Sequence, residues 1–201
     1  MQSKFGMAVP FGAKEVLLHA CCAPCSAAIV ECLLSHGVRP TLFYYNPNIY
    51  PEREYNKRKA ECIRHAQLLG LPFVDADRDH DQWLEAVKGL EGEPERGARC
   101  LTCFGQRLMA TATYAHEKGY KVFATTLAAS RWKNLGQIKE AGEAVAGLFP
   151  NLVFWAQNWR KGGLSERRNA LIARYGFYNQ SYCGCEFSQN QLRTADYELR
   201  E

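Results

Sequence analysis

Nine cysteines in a chain of 201 residues are the feature of this sequence that most directly indicates chemistry. The number is odd, and we expect no secretory signal, so an extracellular disulfide framework fits poorly. Most of them lie in three tight groups, which are Cys21, Cys22 and Cys25, then Cys100 and Cys103, then Cys183 and Cys185. Thiols grouped in this way bind metal or exchange electrons in a reducing compartment.

The first group directly follows an apolar segment that is typical of a buried strand. Pro24 suits the first turn of a helix, so the thiols lie at a strand-to-helix junction. Backbone N–H groups and the helix dipole favour thiolate over thiol there. A buried apolar patch of cysteines is the alternative. Three thiols within five residues favour the ligand interpretation.

The second group opens a predicted helix, which places Cys100 and Cys103 on one helix face. This spacing suits two ligands of one metal centre, and it also fits a redox pair or a zinc knuckle. Two ligands from each of the first two groups would make four, the usual complement of a [4Fe–4S] cluster.

The third group, Cys183-Gly184-Cys185, has a different spacing. Cysteines two apart close a small ring only with a strained backbone, for which Gly184 provides the freedom. Strained disulfides are easily reduced, so the pair suits electron storage more than stability. Two further metal ligands are the alternative. Cys32 and Cys62 fall inside predicted helices and are interpreted as core thiols.

The elements that must position these groups alternate along the chain. Predicted strands span 15–20, 40–45, 72–74, 120–126 and 152–155, and predicted helices span 24–35, 52–69, 81–88, 100–118, 133–147 and 165–174. The alternation predicts an α/β fold, a parallel sheet with helices on both faces. With no repeat or linker, we expect one domain over 1–201, with a flexible N-terminal extension at 1–13 and a C-terminal tail at 189–201.

Ligands of such sheets lie beyond the carboxyl ends of the strands. The first cysteine group follows strand one, and polar or aromatic segments follow strands two and four. We therefore expect these segments to line one shared ligand-binding site. Its candidate substrate contacts are Tyr45, Asn46, Asn48, Tyr50, Thr125, Thr126, Ser130 and Lys133. Tyr44 or Trp132 could also stack on a base, Arg53 could contact phosphate, and His19 is either an acid or a satisfied strand-end residue.

The net charge of +4 is modest, but basic residues cluster at 53–59, 131–133 and 160–168. Such clusters either contact phosphates or form an ordinary solvated surface. No apolar run approaches the ~20 residues that cross a bilayer. We therefore expect a cytoplasmic protein that does not enter a membrane.

Five stretches, in order over nearly the whole chain, resemble the QueH-type epoxyqueuosine reductases. They are HACCAPCS (19–26), YNPNIYP (45–51) with Glu54-Tyr55, RCLTCF (99–104) with Arg107-Leu108, ATTL (124–127) with Lys133-Asn134, and YCGCEFS (182–188). One departure is Ser130-Arg131-Trp132, where the family pattern has Ser-Pro before the lysine. An arginine in place of proline is expected to alter the rigidity of that loop and therefore its substrate contacts.

The resemblance implies an adenine-nucleotide-hydrolase-like fold and removal of the epoxide oxygen from epoxyqueuosine in the anticodon loop of tRNA. It implies an oxidoreductase with a [4Fe–4S] cluster on Cys21, Cys22, Cys100 and Cys103, and a redox-active Cys183/Cys185 pair. It also implies a second, mononuclear iron, for which Cys25 is the candidate ligand, and an unidentified low-potential electron donor.

Deoxygenating an epoxide to an alkene takes two electrons and two protons and releases water. Since a single cluster passes electrons one at a time, a dithiol completes the count. Three other functions stay open. They are a zinc-stabilised tRNA- or protein-binding module, an ATP-using tRNA-thiolation enzyme, which would need a glycine-rich loop after strand one, and a general thiol–disulfide oxidoreductase.

Overall fold

Five strands form one sheet in the computed structural model, which describes residues 7–76 and 79–188. The strands are β1 (Glu15–His19), β2 (Arg39–Tyr44), β3 (Phe73–Asp75), β4 (Val122–Thr125) and β5 (Val153–Phe154). They are all parallel, in the order β3-β2-β1-β4-β5. The parallel α/β architecture predicted from the alternating pattern is confirmed.

The central strand β1 is an almost continuous apolar run because both of its faces are covered. It pairs with β2 from Glu15 to His19 and with β4 from Leu17 to His19. Val16 and Leu18 point into one apolar cluster, and Leu17 points into the other. This alternation is the period of two that a strand imposes on its side chains.

The described residues form six α-helices: α1 (Ala23–Ser35), α2 (Glu52–Leu68), α3 (His80–Ala86), α4 (Ala98–Glu117), α5 (Leu135–Ala146) and α6 (Leu164–Tyr175). Buried residues of α1, α2 and α6 pack in one cluster, whereas those of α4 and α5 pack in the other. The two clusters therefore lie on opposite faces of the sheet. The predicted covering of both faces is confirmed.

Element ends differ from the sequence prediction by a few residues, for local reasons. The side chain of Asn134 accepts hydrogen bonds from the N–H groups of Gly136 and Gln137, so α5 begins after it. Asp79 caps α3 in the same way through Gln82. Thr126 begins a 3-10 helix, Thr126–Ala129, and is not the last residue of β4.

The chain ends bear on the predicted domain limits. Met7, Val9 and Ala13 are partly buried against the α1 face, and a 3-10 helix occupies Pro10–Gly12. The C-terminal tail predicted at 189–201 lies outside the described residues. Within the described part of the chain, no helix is long and apolar enough to cross a membrane.

Candidate metal and redox site

The site forms where the strand order reverses. From β1 the chain proceeds outward through β2 and β3, and β4 then returns to the other side of β1. In sheets of this type, the crevice between two such strands lies beyond their carboxyl ends and receives the ligand. The segments that follow β1, β2 and β4 meet there. His19, at the end of β1, is bonded to both Tyr45 and Thr125.

The first cysteine group lies at this edge. Cys22 is the extended residue that precedes α1, and Cys25 lies in the first turn of α1. The sulfur atoms of Cys21, Cys22 and Cys25 all lie within 4.8 Å of one another. In the described residues, these three are the group of at least three His, Cys, Asp or Glu ligand atoms that is close enough to share a metal ion. The donor set fits a soft metal centre.

One thiol of this group is favoured as a thiolate. The pKa of Cys21 lies well below its usual value because Cys22 and Cys25 donate hydrogen bonds to it, with help from Arg107 and Thr126. Burial raises the pKa of Cys22 to about 12, and hydrogen bonding to Cys21 raises the pKa of Cys25. A single negative charge is therefore concentrated on Cys21.

Polar side chains support this group from two other elements. Thr126 accepts from the Cys21 N–H at 3.0 Å and lies 3.2 Å from its sulfur. Gln180 donates to the sulfur of Cys22 at 2.7 Å. Cys21 also packs against the apolar cluster that contains Cys100.

Arg107 provides the positive charge beside Cys21. The guanidinium is only 2% exposed, and it donates to the side-chain oxygen of Asn46. Asn46 in turn donates to the carbonyl oxygen of Ala20 at 3.0 Å, so it holds Arg107 against the end of β1. The Nε of Arg107 is buried without a hydrogen-bond partner among the described residues. A buried cation with an unused donor is suited to an anionic or oxygen-bearing ligand.

The other two cysteine groups lie together on the opposite side of the site. Cys100 and Cys103 are in the first two turns of α4. Cys103 and Cys185 share a small apolar cluster with Trp83, and Cys183 packs against that cluster. The sequence separation of about eighty residues between these groups is therefore closed by the fold.

The electrostatics of the third group resemble those of the first. The pKa of Cys183 lies well below its usual value, because Cys185 donates a hydrogen bond to it and Lys133 is a nearby cation. The same hydrogen bond raises the pKa of Cys185. Negative charge on Cys183, Cys100 and Cys103 in turn raises the pKa of Lys133. Lys133, which the sequence predicts as a phosphate contact, is therefore a positively charged side chain close to these thiols.

A cavity of about 570 Å³ connects the two sides. Cys21, Cys25 and Cys183 line it, as do the predicted contacts Ser130 and Lys133. Five cationic side chains are among its lining residues, and the described residues contribute no acidic one. These cations are Arg58, Arg107, Arg131, Lys133 and Arg168. A thiol-bearing cavity with this charge is suited to a polyanion.

The loop of residues 130–133 forms one wall of this cavity. Arg96 donates to the carbonyl oxygens of Trp132 and Arg131, both at 3.2 Å. Arg160 donates to the carbonyl oxygens of Ser130 and Lys133. Trp132 is 53% exposed with the Arg131 guanidinium over its ring. Arginine clamps from both sides hold the loop that lacks the expected proline.

The remaining predicted contacts lie around the edge of the sheet. Asn48 is buried, with its side-chain oxygen unpaired among the described residues. Tyr50 is 43% exposed and stacks on His80, with ring centroids 5.4 Å apart. Tyr45 is buried and accepts from His19 through its carbonyl oxygen. Thr125 accepts from Leu127 N–H.

His19 was predicted to be either an acid or a satisfied strand-end residue, and its contacts favour the second. Burial lowers its pKa to about 3, with a contribution from Arg107. Since the carbonyl oxygen of Tyr45 can only accept, the neutral ring donates to it and accepts from the hydroxyl of Thr125. Both ring nitrogens are therefore used inside the fold.

Sequence reasoning did not assign site roles to Arg58, Arg107 and Gln180. A signal existed for Arg58. It follows Glu54 by four residues on the buried face of α2, and a charged pair on the apolar face of a helix requires a partner beyond that helix. Gln180 carried no such signal because it lies in a loop far along the chain from Cys22.

Residues 16–191 match the sequence model of a family described as epoxyqueuosine reductase QueH. Proteins of that name are similar to this chain in Histophilus somni (47% identical, covering 90% of this chain and 74% of that protein), Acinetobacter baylyi (47%, 90% and 83%) and Thermotoga maritima (34%, 92% and 95%).

A solved structure from Methanocaldococcus jannaschii, described as a predicted subunit of a tRNA methyltransferase, has a similar fold. Its TM-score is 0.53 at 13% identity, over 83% of this chain and 93% of that one. At this identity the likeness concerns the fold alone.

Proposed function

The chain belongs to the epoxyqueuosine reductase QueH family, and we propose that it removes the epoxide oxygen of epoxyqueuosine in tRNA with two separate groups of thiols. The observation that carries this proposal is the cationic cavity lined by both Cys21 and Cys183. A metal-binding group and a redox pair that open into one cavity can act on the same substrate. We expect the reaction in the cytoplasm, because tRNA is modified there.

The proposed cluster ligands are Cys21, Cys22, Cys100 and Cys103. Cys21 supports this choice because it packs against the apolar cluster that contains Cys100. Cys25 lies within 4.8 Å of Cys21 and Cys22, which makes it the candidate ligand of an adjacent single iron or a replacement for one of the α4 cysteines. When bound, the [4Fe–4S] group supplies single electrons from a low-potential donor, and a neighbouring iron supplies Lewis acidity.

Serine variants distinguish these two ligand sets. In the proposed set, Cys100→Ser loses most of the iron and the acid-labile sulfide, whereas Cys25→Ser retains the sulfide and loses one iron. If Cys25 instead completes the cluster, the Cys25→Ser protein loses the sulfide and one of the α4 variants keeps it. Iron and sulfide analysis of anaerobically purified protein measures both.

The Cys183/Cys185 pair matches the electron count of the reaction. Closing the dithiol to a disulfide releases two electrons and two protons. Converting the epoxide to an alkene breaks two C–O bonds, forms the C=C bond and consumes the same two electrons and two protons as the oxygen leaves in water. The lowered pKa of Cys183 makes it the nucleophilic thiol of the pair. The external donor then returns the disulfide to the dithiol.

The cationic residues of the cavity would hold the tRNA. Arg131, Lys133 and Arg168 line it beside the exposed ring of Trp132, a combination that suits phosphates flanking an extruded base. Arg107, with its unused Nε donor, is placed next to Cys21 and could bond the epoxide oxygen.

The direct test is an anaerobic assay on tRNA that contains epoxyqueuosine, with a low-potential reductant. Nucleoside analysis of digested tRNA should show conversion to queuosine. A protein that binds this tRNA but leaves the epoxide intact, with its iron and sulfide complete, would refute the proposed reaction.

A further inference from the structure

We propose that Arg58 is a positioning residue, which holds Cys183 and Cys185 in the arrangement from which they close to a disulfide. This inference rests on the proposed redox function of the pair. In this proposal, a buried arginine on α2 determines the geometry of a turn that lies more than a hundred residues away in the sequence.

Arg58 bonds the backbone of the turn at two points. Its Nη1 donates to the carbonyl oxygen of Cys183 at 3.1 Å, and its Nη2 donates to that of Tyr182 at 3.2 Å. The planar guanidinium presents these donors in a fixed geometry, which a flexible lysine cannot reproduce. Two consecutive carbonyl groups are thereby fixed in direction.

Arg58 is itself held rigidly. Its Nε donates to Glu54 at 2.7 Å, and the other carboxylate oxygen of Glu54 accepts from the hydroxyl of Tyr178 at 3.1 Å. Arg58 is only 3% exposed and Glu54 only 8% exposed. A buried, fully bonded ion pair loses little entropy when it fixes a third group. The clamp is therefore part of the fold and not a surface contact.

Gly184 shows how closely the turn fits this clamp. Its φ of +105° is a conformation that side chains rarely adopt, and an added Cβ would lie 2.9 Å from Nη1 of Arg58 and 3.0 Å from Ile49. From the other side, the N–H of Tyr50 donates to the carbonyl oxygen of Gly184 at 2.9 Å. A Cys-Gly-Cys segment alone has many conformations, and these contacts select one of them.

In this conformation Cys183 packs against the small cluster that contains Cys185, so the two thiols are neighbours, and Cys185 lowers the pKa of Cys183. Closing the disulfide from this arrangement requires little further ordering of the backbone. Lys133 is the cation that lowers the pKa of Cys183, and Glu54 neutralises Arg58, so we assign to Arg58 an effect on geometry. Because the charge of Cys183 also raises the pKa of Arg58, the test includes a variant that keeps the positive charge.

The test measures the thiol–disulfide equilibrium of the pair without tRNA. Anaerobically purified, metal-loaded protein is equilibrated at different ratios of oxidised to reduced glutathione, quenched and alkylated. Trypsin releases the peptide of residues 175–193, which contains Cys183 and Cys185 and no other cysteine. Its oxidised fraction is read by mass. Each disulfide formed converts one oxidised glutathione to two thiols.

The variant is Arg58→Gln combined with Glu54→Gln, so that no charge is left buried alone. We expect the equilibrium constant for disulfide formation to fall about tenfold, a shift of the kind that separates redox proteins of this class. The equilibrium constant of the Arg58→Lys protein, which keeps the positive charge, should fall by a similar factor. Iron content and circular dichroism should stay unchanged in all variants.

Arg64→Gln is the matched control. Arg64 lies on the same helix and also bonds a glutamate, Glu61, and a carbonyl oxygen, that of Tyr175, both at 3.0 Å. Among the described residues, its hydrogen bonds and ring contact do not involve the turn, so the thiol–disulfide equilibrium of the Arg64→Gln protein should equal that of the wild type. If the disulfide of the double variant forms at the same glutathione ratio as in the wild type, the proposed role of Arg58 is wrong, while the redox function of the pair stands. A wild-type pair that stays reduced at every ratio would overturn the proposed redox function as well.

Discussion

The first cysteine group and the Cys183-Gly184-Cys185 turn line the same cavity but are held there in different ways. Cys21, Cys22 and Cys25 are fixed by the end of the central strand and the first turn of α1. The Cys183–Cys185 turn follows no strand and lies directly before a helical turn at residues 186–188, and the side chain of Arg58 from α2 bonds its backbone. The first arrangement belongs to the sheet, and the second depends on a few contacts.

The electrostatics of the two groups are nevertheless alike. Each has one thiol with a lowered pKa, Cys21 or Cys183, and in each a cation, Arg107 or Lys133, contributes to that lowering. The difference therefore lies in mechanical support. A rigid group suits metal ligands, which must stay in place, whereas a turn held by side chains suits thiols that must open and close.

The largest expected effect follows from the rigid group. Cys21→Ser removes the thiolate of that group and should lose most of the bound iron, and with it turnover. Cys32→Ser, on the helix α1 that follows Cys21 but in the apolar core, is the control and should keep both. Iron retained in full by the Cys21→Ser protein would remove the distinction between the two groups.

The shared cavity predicts a strong dependence on salt. If Arg131, Lys133 and Arg168 contact phosphates, tRNA affinity should fall roughly 20- to 40-fold between about 50 mM and about 200 mM salt. Arg168→Ala should reduce the slope by about one, whereas Lys88→Ala, an exposed lysine paired with Glu85, should not. Fluorescence titrations measure this, and a flat dependence would contradict the cationic assignment.

Acid should weaken the side of the molecule that holds the turn. Burial lowers the pKa of His65 to about 4 in the folded protein, below its usual 6.5. Below pH 6.5 the unfolded chain therefore binds a proton at His65 that the folded protein does not. The free energy of unfolding is unaffected by this group above pH 6.5 and falls by up to about 3 kcal/mol as the pH drops toward 4. Urea unfolding should show a flatter acid limb for His65→Gln than for the wild type. Parallel pH profiles would refute this linkage.

The smallest effect concerns the turn itself. Gly184→Ala forces a side chain against Arg58 at a φ of +105° and should cost roughly 1–3 kcal/mol of unfolding free energy. Gly105→Ala is the control, because its Cβ would meet no atom within 4 Å inside a helix, and it should stabilise slightly. Equal midpoints for the two variants in thermal unfolding would contradict the close fit at Gly184.

The same difference explains what the sequence could predict. The first group was predictable because an apolar strand, a proline and a helical pattern follow one another locally. Asn46 lies at the same sheet edge, but its side chain donates to the carbonyl oxygen of Ala20 and accepts from Arg107. That outcome depends on a side chain from another helix. The contact of Arg58 with Cys183 joins residues 125 positions apart, which no local pattern encodes.

The central claim is that one thiol group binds metal while the other exchanges electrons. Cys183→Ser tests it most directly when iron, sulfide and conversion of epoxyqueuosine in tRNA are measured on the same anaerobic preparation. We predict that iron and sulfide equal those of the wild type, while turnover falls roughly 10³-fold or more because the disulfide cannot form. Loss of iron together with turnover, or full turnover with iron retained, would contradict the division between the two groups.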